Sequence, residues 1–152
     1  MKLTTLAKSV LTVFITVFSL SVSAQKNETK PLSEQVVADL NQTPNMALGL
    51  QKERHVKGGL RFFDQLLASE TDFENFEIVI WGNEVEKLKK GSDLASLIEQ
   101  NQHPKLRVSV CQVAMKRMGV SEEDLPKGVI SVPNAFLRLL QIQAKGYNVI
   151  IP

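Results

Sequence analysis

The chain has 152 residues, 43% of them hydrophobic, with 18 lysines and arginines against 16 acidic residues and a single cysteine. That length suits one compact domain around a single core, and so small an excess of positive charge gives little electrostatic motive for binding nucleic acid. A lone cysteine excludes an internal disulfide and leaves a thiol that is buried, paired between chains, or chemically used.

At the N-terminus, Lys2 and Lys8 precede the apolar run Val10–Leu20, and Ser21-Val-Ser-Ala24 supplies the small residues that a signal peptidase needs before Gln25. The run is short for a bilayer span, and no stop-transfer pattern follows it. Residues 1–24 are therefore predicted to be a cleaved Sec-type signal peptide, and the remainder a soluble, exported protein located in the periplasm. Without the two signal lysines the chain holds 16 residues of each charge. Neither nucleic acid nor a membrane is then expected as a partner.

Residues 25–43 are polar and read as an arm or linker, with Leu32, Val36, Val37 and Leu40 spaced for a short helix that Ser33 caps. The domain proper is expected over 44–152. Asn45–Leu50 reads as the first strand, and Val56, Leu60, Phe63, Leu66 and Leu67 recur at helical spacing. Gly58-Gly59 lacks both a Walker spacing and a dinucleotide fingerprint, so those glycines are expected to permit close packing of that helix or to lie just before it.

Phe76–Trp81 is nearly continuous in apolar and β-branched residues and stops at Gly82-Asn83, which predicts a central strand buried on both faces. Glu84–Lys90 is expected to be a short charged helix. A further helix follows the cap Ser92-Asp93, with Leu94, Leu97 and Ile98 on one face. Leu106, Val108 and Val110 then alternate with polar residues, while Val113, Ala114 and Met118 have helical spacing up to Gly119. Val129–Val132 is a fourth strand. Pro133 fits the first turn of the next helix, whose apolar side is expected to be Phe136, Leu139, Leu140 and Gln143, and Tyr147–Ile151 is a terminal strand. Strands and helices alternating in this way predict an α/β fold, a three-layer α/β/α sandwich with a mostly parallel sheet of about five strands.

Cys111 falls where the third of these strands hands over to a helix. In a parallel sheet that junction lies at the carboxyl edge, where open α/β folds bind ligands, and a helix N-terminus gives a thiol a route to becoming a thiolate. Trp81, Asn83, Gln112 and Asn134 lie at matching edges and are the candidate ligand-binding residues, with Arg54 or Lys57 as a basic group. Such a set suits a small anion or sulfur species. It does not suit hydrolysis, for which no carboxylate pair or Ser-His-Asp set is present. No cofactor is expected, and His55 and His103 have no metal-ligand spacing, so no metal is expected either. The competing reading is that Cys111 is a buried structural residue of a non-catalytic binding or assembly module.

The series Val110-Cys111, Met118-Gly-Val120, Asp124-Leu125, Gly128–Pro133, Leu139, Gln143 and Gly146-Tyr147, closing in Val149–Pro152, resembles the DsrE/DsrF-like family in its exported branch. The resemblance runs from about Phe76 to the end and more loosely from Met46. It implies a Rossmann-like sandwich and assembly into trimers or hexamers. It also implies that Cys111 carries persulfide sulfur, exchanged with a small sulfur species or with a protein donor or acceptor. No second cysteine is present, so an internal relay is excluded.

Overall fold

The computed structural model describes residues 31–152, so the predicted signal peptide lies outside the described residues. The elements in order are α1 (Glu34–Leu40), β1 (Asn45–Leu50), α2 (Glu53–Leu67), β2 (Asn75–Ile80), a 3-10 helix (Gly82–Leu88), α3 (Asp93–Gln100), β3 (Leu106–Cys111), α4 (Gln112–Met118), β4 (Val129–Val132), α5 (Ala135–Ala144) and β5 (Asn148–Ile150). The five strands form one sheet in the order β4-β3-β2-β1-β5, and every pairing is parallel. The predicted fold class therefore holds.

Strand side chains alternate between faces, and the register sorts them. Leu48 pairs with Ile78 and Ile78 with Val108, so these residues share a face. Helix α2 packs there: a Cβ added at Gly59 would lie 3.1 Å from the δ-methyls of Leu48 and Leu50. The second glycine of the Gly58-Gly59 pair thus serves close helix-to-sheet packing inside α2. The 3-10 helix adjoins both α3 and α4, and α3 adjoins α2, which places them in the same layer.

Helix α5 lies on the opposite face. The connection from β4 to β5 runs back across the sheet, and right-handed crossovers in opposite directions put their helices on opposite sides. Here Glu77 is 2% exposed in the middle of β2, yet it is charged. Arg138 on α5 grips it with two bonds, Nε to Oε1 at 2.8 Å and Nη2 to Oε2 at 2.6 Å, and Ser109 Oγ donates at 2.5 Å. Hydrogen bonding to Glu77 raises the pKa of Arg138 above its ordinary value. A buried carboxylate needs such partners, and these fasten α5 to the central strands.

Several local expectations change. The charged segment after β2 forms a 3-10 helix that starts at Gly82, whose φ of 81° only glycine adopts readily. Pro133 stands one residue before the cap Asn134 of α5 and not in its first turn. On α2, Leu67 is exposed, and on α4 Met115 is buried in place of Val113. On α5 the buried side is Ala135, Leu139 and Ile142, whereas Phe136, Leu137 and Leu140 face outward. That helix is apolar nearly all round, so spacing alone did not single out its inner face. Helix α1 buries no residue; Leu32 and Leu40 only rest against the core.

Candidate functional site

The carboxyl ends of the four strands β1 to β4 converge on one cleft of about 320 Å³. Gln51 follows β1, Trp81 and Gly82 follow β2, Cys111 ends β3, and Asn134, Ala135 and Phe136 follow β4. Val113, Ala114 and Arg117 of α4 complete the lining.

Cys111 is 5% exposed, packed within the apolar core, and lines this cleft. The amide that reaches it is not one that follows it in sequence. Ala135 N–H donates to Cys111 Sγ at 3.4 Å. The reason is visible in the first turn of α5, where the N–H groups before Arg138 have no carbonyl partner within the helix. Asn134 Oδ1 accepts from Phe136 N at 2.8 Å and from Leu137 N at 3.3 Å, and Arg138 N bonds to Asn134 O at 2.9 Å. Ala135 N–H is left, and the sulfur takes it. Cys111 therefore sits against the N-terminal end of α5 and accepts its first N–H.

Trp81 forms one wall of the cleft. Its ring lies across Gly49 of β1, where an added Cβ would come within 2.9 Å of Cη2, and its other contact is Phe136 at 5.8 Å between ring centroids. Phe136 itself is 61% exposed.

Of the residues proposed from sequence, Cys111, Trp81 and Asn134 meet in the cleft, although the side-chain oxygen of Asn134 is already committed to capping α5. Asn83 and Gln112 do not line it. Gln112 points away, donating to Ser131 Oγ at 2.8 Å and Glu122 Oε1 at 3.2 Å. Asn83 touches the site indirectly, accepting from Arg117 Nη2 at 3.1 Å. The basic residue in the lining is Arg117 and neither Arg54 nor Lys57, which bond to His55 and Glu53 respectively. The signal for Arg117 was available: it stands six positions after Cys111, on the helix that starts there.

Among the described residues no group of three or more His, Cys, Asp and Glu is placed to hold a metal ion. No helix among them is long and apolar enough to cross a membrane.

A model of the DsrE/DsrF-like family matches residues 59–152. Among solved structures, a protein of unknown function from Methanobacterium thermoautotrophicum, MTH1491, superposes with a TM-score of 0.62 at 20% identity, covering 71% of this chain and 98% of its own. At that identity the likeness speaks for the fold. No curated protein matches the chain.

Proposed function

The chain belongs to the DsrE/DsrF-like family, and from that premise we propose that it carries sulfane sulfur as a persulfide on Cys111. The observation that supports this most is the position of the cysteine: Cys111 lines an open cleft, and its Sγ accepts the first amide of α5. A thiolate is the nucleophile in sulfur exchange, and a helix N-terminus is one of the settings that favour it. With no second cysteine in the chain, sulfur loaded on Cys111 leaves only to an external acceptor, a small thiol or a partner protein. Strict catalysis is not required of such a carrier.

The proposal includes export to the periplasm, for which Lys2, Lys8, the apolar run Val10–Leu20 and the small residues before Gln25 are the support. It also includes assembly into a trimer or hexamer. Phe136, Leu137 and Leu140 on α5, with Val113 beside the cleft, are large exposed apolar side chains of the kind that association covers.

Intact-mass measurement after exposure to a sulfane donor tests the persulfide. The expected result is the gain of one sulfur atom by the wild type and none by Cys111→Ser. A wild-type chain that stays unmodified beside a control carrier that reacts would remove the proposal.

The burial of Cys111 favours one other reading, a non-catalytic binding or assembly module in which the thiol is a structural cap of α5. Alkylation separates the two. Slow reaction of the folded protein and fast reaction after denaturation supports the module.

A further inference from the structure

Resting on the persulfide reading, we propose that Arg117 selects the sulfur donor, and that the donor is the anion thiosulfate. The lining of the cleft carries two ionisable groups, the thiol of Cys111 and the guanidinium of Arg117. No aspartate, glutamate, lysine or histidine joins them there. Arg117 gives one N–H to the neutral oxygen of Asn83, and no carboxylate among the described residues pairs with it. Its charge is uncompensated, and most of its five donors are unspent.

An uncompensated guanidinium beside a thiol selects a particular geometry. Sulfonate oxygens match its planar fork, while Trp81 and Phe136 supply apolar surface beside it and Gln51 and Asn134 the neutral polar groups. The reaction also needs the charge. After the thiol proton has passed to solvent, the Cys111 thiolate attacks the outer sulfur of thiosulfate. A new S–S bond forms on Sγ, the donor S–S bond breaks, and sulfite leaves with the bonding electron pair. No external oxidant or reductant takes part, because the sulfane sulfur transfers at its own oxidation level. The approach brings a monoanion to a dianion, and negative charge builds on the departing sulfite. Arg117 is positioned to offset both, with the Ala135 amide on the thiolate side.

The test compares two donors on the full chain by intact mass over time: thiosulfate, and dissolved cyclooctasulfur, which has no charge. Wild type is expected to accept sulfur from both. In Arg117→Gln the ratio of the thiosulfate rate to the cyclooctasulfur rate is expected to fall by about 10- to 100-fold, the worth of a charge-assisted contact. Arg117→Lys, which keeps the charge without the fork, is expected to lie between. Arg117 is exposed, and unchanged thermal unfolding of the variants verifies that they remain folded. A wild type that takes sulfur from cyclooctasulfur and not from thiosulfate overturns the assignment of donor class and leaves the carrier reading intact. So does a ratio that Arg117→Gln does not move. A wild type that takes sulfur from neither donor overturns the carrier reading itself.

Discussion

The two faces of the sheet are built from different materials. Towards α2 the strands present Leu48, Leu50, Ile78, Ile80, Val108 and Val110, and a layer of helices covers them. Towards α5 the alternate positions are Ala47, Gly49, Glu77, Val79, Ser109 and Cys111, beneath a single helix. The first set is large, apolar and interchangeable in kind. The second is mostly small or polar, and Glu77, Ser109 and Cys111 in it are each held by a specific partner. Apolar packing is spread over the first face, whereas the second is held by a few directed bonds, and the cleft opens at the carboxyl edge between α4 and the start of α5.

The sharpest way to break this contrast is to remove one of the directed bonds. Arg138→Met leaves the Glu77 carboxylate buried without its bidentate partner, and the expected loss is about 3–5 kcal/mol in urea unfolding. Because α5 also carries the amide that covers Cys111, faster alkylation of the thiol is expected in the same variant. The double change Glu77→Leu with Arg138→Met is expected to recover most of the stability, since an apolar pair replaces an ionic one. On the other face Leu60→Ala is expected to cost about 2–5 kcal/mol through the cavity it leaves. Its effect on alkylation is expected to be no more than its loss of global stability explains. If Leu60→Ala exposed Cys111 as much as Arg138→Met does, the faces would not differ in the way described.

The same contrast explains what could be read from the chain beforehand. The face towards α2 was legible because apolar periodicity is a local signal: Val56, Leu60, Phe63 and Leu66 recur at helical spacing and are all buried. The other face depends on pairs far apart in sequence. Glu77 looks like a lapse in the otherwise apolar run of β2, and its partner Arg138 is 61 residues away. Likewise the place of Cys111 at a strand's carboxyl end followed from local pattern, but its contact with Ala135 depends on how α5 recrosses the sheet. Arg117 rather than Arg54 or Lys57 reaches the cleft because α4 begins at its wall, whereas Glu53 holds Lys57 and His55 holds Arg54 on α2.

A smaller effect compares one glycine on each face. A Cβ at Gly49 would meet the rigid ring of Trp81 at 2.9 and 3.0 Å and Ile151 Cγ1 at 3.0 Å. Gly49→Ala is expected to cost about 1–3 kcal/mol by overpacking and to displace the indole that walls the cleft. A changed tryptophan fluorescence maximum and a changed alkylation rate of Cys111 would register that displacement. A Cβ at Gly59 meets the ends of flexible side chains, Leu48 and Leu50 at 3.1 Å and Ile78 at 3.4 Å, which can yield. The helix gains up to about 1 kcal/mol when alanine replaces an interior glycine, so Gly59→Ala is expected to be nearly neutral and silent in both signals. Equal penalties at the two sites would show that close packing of the sheet is equally tight on both sides.

The smallest expected effect belongs to a carboxylate outside both faces, which serves as a baseline for the buried Glu77. Asp124 closes the turn after α4: Ser121 N donates to its Oδ2 at 2.8 Å and Ser121 Oγ at 2.9 Å. Those bonds, the backbone one foremost, hold its pKa below the ordinary 3.8. The unfolded chain then binds a proton more readily than the folded one. The stabilisation is complete above pH 3.8 and is lost as the pH falls through the lowered folded value. Asp124→Asn is expected to flatten this part of the acid-unfolding profile and to leave unfolding at neutral pH little changed, because the group is only half-buried and solvent screens it. Arg138→Met, by contrast, is expected to show its penalty across the whole neutral range. An Asp124→Asn penalty at neutral pH as large as that of Arg138→Met would mean that burial of Glu77, and with it the separate character of the α5 face, is not what makes its bonds strong.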